Sequence, residues 1–276
     1  MDVDGRQIVK EDSMESAEGA KTFQASGEAY DLYMGRYSCP LAVVFADAAE
    51  IVHGQTALDV GCGPGALTGA LVDRLGVQAV SAFDPSGPFV AACAARHPGV
   101  DVRSGRAEEI PFRDGQFDAA LAQLVLHFAS DPEVVAAEMR RVVHPGGTVA
   151  ACVWAFDGGM EMLRRFWDAA LSIDAAAPDE ARTMRFGRAG EIAALLDTAG
   201  LTDITETTLG VHSTYRDFDE LWSSLLAGIG PAGSYCVSLS DERRAALRSE
   251  LFQRLDSPAG TFSLRATARC ASGKVP

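Results

Sequence analysis

The chain has 276 residues, of which 47% are hydrophobic, so it can bury a core large enough for an α/β domain with insertions. Its formal net charge of -14 disfavours nucleic acid and anionic membrane surfaces as partners. Residues 1–22 are polar and predict a disordered arm, and because no signal peptide or membrane-spanning run is evident, we expect a cytoplasmic protein.

Strand and helix patterns then alternate along the chain. Short apolar runs predict five strands, at residues 56–60, 79–83, 100–104, 117–124 and 148–154. Apolar residues at helical spacing predict helices at residues 66–75, 88–96 and about 130–143. Ser130 and Glu133 have the spacing of a capping box, and the run HPGG at residues 144–147 ends the third helix. The alternation predicts βαβ crossovers and a mainly parallel sheet.

The remainder of the chain departs from this rhythm. It predicts helices at residues 159–173, 189–199, 218–229 and 241–255. Strand character returns at residues 201–215 and 261–270, with the last strand antiparallel and near an edge. We therefore expect one domain over residues 23–276, with a cofactor-binding half at about 23–155 and a substrate and cap half at about 156–276.

A glycine-rich loop joins the first strand to the first helix. Gly61, Gly63 and Gly65 allow positive φ and a close approach of the backbone to a ligand, and the helix that follows offers unpaired N–H groups. Asp59 at the strand end suits a cationic ligand rather than a pyrophosphate. Asp84 ends the second strand, where a carboxylate can accept hydrogen bonds from both hydroxyls of a ribose.

These segments resemble, in order, the motifs of class I methyltransferases that use S-adenosyl-L-methionine (SAM). The segments that show the resemblance are LDVGCGPGALTGAL at residues 58–71, IPFRDGQFD at 110–118, LVLHF at 124–128 and EMRRVVHPGG at 138–147. The resemblance spans residues 25–155 and is nearest to small-molecule enzymes related to the ubiquinone and menaquinone biosynthesis type. It implies a Rossmann-like sheet, helical insertions that form a cap, SAM as cofactor and S-adenosylhomocysteine as by-product.

The resemblance also implies where the cofactor lies. Gly61 and Gly63 would pack beneath the methionine part, with Asp59 orienting the loop. Asp84 would hold the ribose. The other residues that the resemblance places at the cofactor are Tyr30, Arg36, Cys62, Gly65, Pro85, Ser86, Arg106, Ala107, Glu108 and Gln123.

Three of these assignments carry a particular expectation. The family usually has an aspartate where Arg106 stands, and since arginine accepts no hydrogen bond, either Glu108 or the Ala107 backbone would read the adenine. Gln123 would face the methionine end through its backbone. Cys62 is interpreted as a small filler between glycines rather than a reactive thiol.

An aromatic cluster near the N-terminus resembles a helix that closes over SAM in related enzymes. Tyr30 and Tyr33 would contact the sulfonium, and Arg36 would meet the SAM carboxylate. The alternative is an amphipathic helix packed on the core.

Candidates for catalysis and substrate binding are less specific. His127 after the fourth strand and His212 in a later strand could act as general bases, or could serve only packing. Tyr33, Trp154, Phe166 and Trp222 could line an apolar substrate pocket, or could be ordinary core. The scattered cysteines and histidines indicate no metal site.

The predicted function is methyl transfer from SAM to an O, N or C nucleophile of a small, partly apolar metabolite, by a monomer or homodimer. Secondary metabolism is one setting for such an acceptor. An alternative keeps the cofactor as a structural or electrostatic element in a cyclisation or decarboxylation. A non-catalytic sensing module is a third reading, and Asp59 disfavours an NAD-dependent oxidoreductase.

Overall fold

The computed structural model describes residues 30–276, so the predicted arm at residues 1–22 lies outside the described residues. Seven strands form one sheet in the order β3-β2-β1-β4-β5-β7-β6. All neighbouring pairs are parallel except the two that β7 makes, with β5 and with β6. The predicted α/β class and the antiparallel last strand are confirmed. The strands are β1 (Ala57–Val60), β2 (Val80–Asp84), β3 (Asp101–Ser104), β4 (Phe117–Gln123), β5 (Val143–Trp154), β6 (Thr202–Tyr215) and β7 (Phe262–Lys274).

Strand β1 is buried along its whole length and β4 and β5 along most of theirs, whereas the edge strands β3 and β6 are largely exposed. Continuous burial of β1 reflects packing on both faces of the sheet, as the unbroken apolar sequence predicts. Strand β5 begins five residues before the predicted start, at Val143, because Val143 already pairs with Phe117. The HPGG run therefore ends a helix and opens a strand at once.

Residues 30–276 also form ten α-helices and two short 3-10 helices, Val77–Ala79 and Leu126–Phe128, and a π-helical turn at Asp31–Gly35 leads into the first α-helix. Polar caps mark several starts: Asp131 accepts from the Val134 amide at 3.1 Å, ahead of Pro132 in the first turn. The helices are α1 (Arg36–Ala48), α2 (Ala66–Leu75), α3 (Gly87–Arg96), α4 (Pro132–Val142), α5 (Glu161–Ile173), α6 (Glu180–Thr183), α7 (Glu191–Thr198), α8 (Phe218–Leu226), α9 (Gly230–Ser238) and α10 (Asp241–Arg254).

The predicted helix at residues 218–229 is confirmed as α8 but ends three residues earlier, at Leu226, and α9, which was not predicted, begins at Gly230. Gly228 and Gly230 adopt φ of 72° and 65°, a left-handed backbone that interrupts the helix. Pro231 then stands in the first turn of α9, where its missing N–H costs nothing. The apolar spacing alone did not reveal this break.

The order of the strands places a crevice at the carboxyl ends of β1 and β4. Helix α1 packs against α2 and β6, and the late helix α10 packs against α5. The strand order reverses between β1 and β4, so their carboxyl ends diverge into a crevice of the kind that binds ligands in open α/β sheets. No helix within residues 30–276 has the length and apolar character needed to cross a membrane.

Candidate cofactor-binding site

A cavity lies at the carboxyl ends of β1, β2 and β4, where open α/β sheets bind their ligands. The glycine loop forms its floor, and residues of α1 and of the segment after β4 complete the wall. Its lining consists of Tyr30, Ser38, Asp59, Gly61, Cys62, Gly63, Pro64, Ala66, Leu67, Asp84, Pro85, Ser86, Phe89, Gln123, Leu124, Val125 and Phe128.

The glycine loop is shaped by positive φ at Gly61 and Gly63. A Cβ placed on Gly63 would meet no protein atom within 4 Å, so this glycine borders open space. A Cβ on Gly61 would instead come within 2.7 Å of Val125. Between them, the Cys62 amide donates to the Phe83 carbonyl at 2.9 Å and holds the loop against β2. Gly61 therefore serves packing, while Gly63 leaves room for a ligand.

Asp84 links the glycine loop to the end of β2. One carboxylate oxygen accepts from the Gly63 amide at 2.8 Å and the other from the Ser86 amide at 2.8 Å. Burial raises the pKa of this carboxyl, although both amide bonds act in the opposite direction. Each oxygen keeps a second lone pair, so Asp84 can still accept hydroxyl donors from the cavity.

Asp59 is a second carboxyl at the cavity and is only 1% exposed. Its carboxylate accepts from the Thr68 hydroxyl at 2.6 Å and from the Thr68 backbone. Burial nevertheless raises the pKa of Asp59 to about 7, with nearby Asp84 adding to the rise. No lysine, arginine or histidine stands among the lining residues that the structure describes. The site is therefore electronegative and suits a cation.

Helix α2 points its N-terminus at the same cavity. Its cap residue, Gly65, has φ of 100° and supplies no side-chain cap. Ala66 and Leu67, the first two helical residues, line the cavity. The partial positive charge of a helix N-terminus is thus available to an anionic group beside the two acids.

The N-terminal segment and β4 meet over the cavity. Tyr30 lines it, packs edge-on against Phe89 at 5.6 Å, and has its pKa raised by burial. The Gln123 amide donates to the Ser38 carbonyl at 3.0 Å, so its side chain, and not only its backbone as expected, belongs to the wall. The next residue, Leu124, has φ of 61°, a strained backbone of a kind that clusters at functional sites.

Two predicted lid residues lie away from the cavity lining. Arg36 donates to Glu220 at 2.7 Å and lies over the Tyr215 ring at 3.9 Å, so it ties α1 to the later half of the chain. Tyr33 is buried in the core. Of the predicted lid residues, the cavity lining therefore contains Tyr30 but neither Arg36 nor Tyr33.

The predicted adenine segment also lies outside the cavity lining. The Arg106 side chain is exposed and pairs with Glu108 at 3.4 Å. Glu108 also accepts from the Ser130 amide at 3.1 Å, which turns it towards the start of α4. Ala107 is partly buried and packs against the main core. Pro85 and Ser86, in contrast, line the cavity as predicted.

The two candidate bases do not line the cavity either. His127 packs against Phe128 and Phe156 at ring distances of 3.9 and 5.3 Å. Burial lowers the pKa of His127 to about 3, so the imidazole is neutral at physiological pH. His212 is exposed on the edge strand β6, opposite Arg265. His127 is the nearer of the two, since Phe128 lines the cavity.

The aromatic residues proposed for substrate binding are packed as core. Trp154 meets Tyr37 edge-on at 6.3 Å. Phe166 packs against a neighbouring tryptophan, and Trp222 stacks near-parallel on a phenylalanine of α8. Of these, Trp154 alone ends a strand at the carboxyl edge where the cavity lies.

Eight lining residues were not predicted as site residues: Ser38, Pro64, Ala66, Leu67, Phe89, Leu124, Val125 and Phe128. Val125 and Phe128 follow β4 immediately, so the rule that ligands sit beyond the carboxyl ends of strands could have found them. Ser38 and Phe89 come from helices, and nothing in their apolar or polar character distinguished them from packing residues. Cys62, predicted to be a filler, is buried against Cys93.

Residues 58–151 match a family described as a methyltransferase domain. The chain is 37% identical over 101 residues to a demethylmenaquinone methyltransferase of Renibacterium salmoninarum, covering 37% of this chain and 42% of that protein. It is 30% identical over 130 residues to a malonyl-[acyl-carrier protein] O-methyltransferase of Erwinia billingiae, covering 47% and 51%. The matched segments span from 31% to 58% of the length of such relatives.

The fold is similar to that of solved methyltransferases over nearly the whole chain. A Haemonchus contortus phosphoethanolamine N-methyltransferase 2 in complex with SAM aligns with a TM-score of 0.56 at 16% identity. The alignment covers 95% of this chain and 60% of that one. The likeness confirms the predicted Rossmann-like methyltransferase fold, including the half beyond residue 151.

Proposed function

We propose that this chain, a class I methyltransferase in fold and in its domain at residues 58–151, binds SAM in the cavity above the glycine loop. The reaction is transfer of the SAM methyl group to an O, N or C nucleophile of a small, partly apolar molecule. Two relatives support this proposal, since by name they are a demethylmenaquinone methyltransferase and a malonyl-[acyl-carrier protein] O-methyltransferase.

One observation carries the proposal: two buried carboxyls, Asp59 and Asp84, face the cavity, and no basic side chain of the described lining offsets them. A cation gains from that field, whereas the pyrophosphate of a dinucleotide would be repelled. Gly63 leaves the space that a ligand resting on the loop requires. The residues present therefore fit SAM better than NAD.

Each group around the cavity has a part in holding the cofactor. Asp84 would accept the ribose hydroxyls, with Pro85 and Ser86 beside the base. Asp59 would favour the cationic end, and the amides at the start of α2 would favour the carboxylate. When bound, SAM supplies an electrophilic methyl group on a sulfonium. The chain's own contribution is to orient the reactants and exclude water.

Calorimetric titration tests the cofactor assignment directly. We expect SAM and S-adenosylhomocysteine to bind and NADH not to bind. Asp84→Asn should weaken SAM binding by about 1–3 kcal/mol, as for hydrogen bonds to a charged group, while Asp73→Asn on the exposed face of α2 should have no effect. An absence of SAM binding, or tighter binding of NADH, would refute the proposal.

Mass spectrometry tests the reaction. A product heavier by one methylene than its substrate, formed together with S-adenosylhomocysteine, is the expected result. A product formed with no gain of mass and no consumption of SAM would instead favour the non-methylating alternative.

A further inference from the structure

Four buried polar atoms of residues at or beside the cofactor cavity have no hydrogen-bond partner within residues 30–276. They are Ser38 Oγ, Gln123 Oε1, His127 Nδ1 and Trp154 Nε1, and the last three belong to residues near the ends of β4 and β5. A buried polar group without a partner typically costs about 1–3 kcal/mol, and folded proteins contain few of them. Such atoms gathered in one place indicate that something else supplies their partners.

Strand register brings two of these residues together. Gln123 ends β4 and pairs with Cys152 of β5, and Trp154 ends β5 two residues further along. Because side chains alternate between the faces of a sheet, Gln123 and Trp154 point to the same face, roughly 7 Å apart along the strand direction. The two side chains therefore lie on the same face of the sheet at its carboxyl edge.

The turn after β4 brings His127 to the same end of the sheet. His127 contacts Phe156, two residues beyond Trp154, at a ring distance of 5.3 Å. Helix α1 packs over the other two residues, since the Ser38 carbonyl accepts from Gln123 and Tyr37 packs edge-on against Trp154. All three residues thus gather near the ends of β4 and β5, beside the cofactor cavity that Gln123 lines.

The neighbouring Tyr37 hydroxyl and the Gln123 amide nitrogen already have other hydrogen-bond partners. The Tyr37 hydroxyl is bonded to the Tyr215 hydroxyl at 3.1 Å, so it is not directed to the Trp154 indole. The Gln123 amide nitrogen is used by Ser38, which leaves its oxygen as the free acceptor. His127 is neutral, and the surrounding side chains are aromatic or aliphatic.

We propose that Gln123, His127 and Trp154 form the methyl-acceptor subsite, and that it takes a neutral hydroxyl on an otherwise apolar, phenol-like molecule. The inference rests on the proposed function. Trp154 Nε1 can only donate and Gln123 Oε1 can only accept, and a hydroxyl satisfies both with one oxygen. A carboxylate offers no donor and an ammonium offers no acceptor, so each would leave one of these atoms unpaired. Gln123 also lines the cofactor cavity, which puts the hydroxyl next to the cofactor.

The three tryptophans of the chain make the test direct, because each indole N–H gives one resonance in a ¹⁵N correlation spectrum. Trp167 donates to Glu180 at 2.7 Å and Trp222 stacks on Phe218, so both serve as internal references. The substitutions Trp154→Phe, Trp167→Phe and Trp222→Phe assign the three resonances. The protein, saturated with S-adenosylhomocysteine, is then titrated with phenol, toluene, benzamide, benzylammonium and benzoate.

Phenol should move the Trp154 indole resonance downfield in a saturable way, while the other two indole resonances stay in place. Toluene, benzylammonium and benzoate should not produce that shift. Trp154→Phe keeps an aromatic ring at this position and removes the indole N–H donor, so phenol should bind about 5–10-fold more weakly, as expected for the loss of one hydrogen bond. The matched variant Trp222→Phe should bind phenol as the unaltered protein does.

Two failures are distinguishable. If S-adenosylhomocysteine does not bind, the proposed function itself is wrong. If it binds but phenol leaves the Trp154 resonance unmoved, or Trp154→Phe binds phenol unchanged, the subsite inference is overturned and bound water satisfies the three atoms. A shift produced by benzamide or benzoate rather than by phenol also overturns the proposed hydroxyl.

Discussion

Titration of the buried Asp59 carboxyl should couple SAM binding to proton release. Burial raises the pKa of Asp59 to about 7, from an ordinary value of 3.8. A cationic ligand beside the carboxyl favours its ionised form and so lowers that pKa. Below pH 7 the empty site holds a proton that SAM must displace. The affinity should therefore rise by up to about tenfold per pH unit between pH 5.5 and 7, and level off above.

The raised pKa of Asp59 also contributes to the stability of the empty protein. A rise of this size corresponds to about 4 kcal/mol. Because the pKa is raised on folding, this stability is fully present below pH 3.8 and is lost as the pH rises through about 7. Asp59→Asn removes the titration and should make the empty protein more stable than the unaltered one at pH 8.

Calorimetry in two buffers of different ionisation enthalpy measures both the affinity and the protons released. Asp59→Asn should bind SAM more weakly at pH 8 and with little pH dependence. Thr68→Val removes the 2.6 Å hydrogen bond that favours the ionised carboxyl, so it should move the plateau to higher pH. A SAM affinity that is flat from pH 5.5 to 8 in the unaltered protein would refute the reasoning.

Two further predictions follow from the geometry. Gly63→Ala should abolish SAM binding and cost about 1–2 kcal/mol of stability, because its φ is 53°. Gly61→Ala should lower Tm further, because its Cβ would stand 2.7 Å from Val125. Calorimetry measures the binding and thermal unfolding measures the stability; equal effects of the two substitutions would contradict the assignment. Arg36→Met should lower Tm, because it breaks the ion pair with Glu220, and should change the Kd for SAM by no more than about twofold. A tenfold loss of affinity, about 1.4 kcal/mol, would instead support the predicted contact between Arg36 and the cofactor carboxylate.

Local sequence determined most of the cofactor half of this protein. The glycine loop, Asp59 and Asp84 each follow a buried strand, and the carboxyl ends of parallel strands share an edge, so their convergence was predictable from order along the chain. The strands and helices of residues 56–142 were predictable for the same reason, since their periodicity and caps are local signals. The adenine segment was carried over from resemblance alone, and Glu108 is directed to Ser130 instead.

Tertiary structure alone decided how the later half of the chain packs around the cofactor half. Arg36 and Glu220 are 184 residues apart in sequence, and no local pattern couples them. The same holds for the grouping of Gln123, His127 and Trp154, which depends on the register of β4 on β5 and on the packing of α1 over them. Local sequence specifies which residues follow each strand, whereas the hydrogen-bond partners left to them depend on packing between segments distant in the chain.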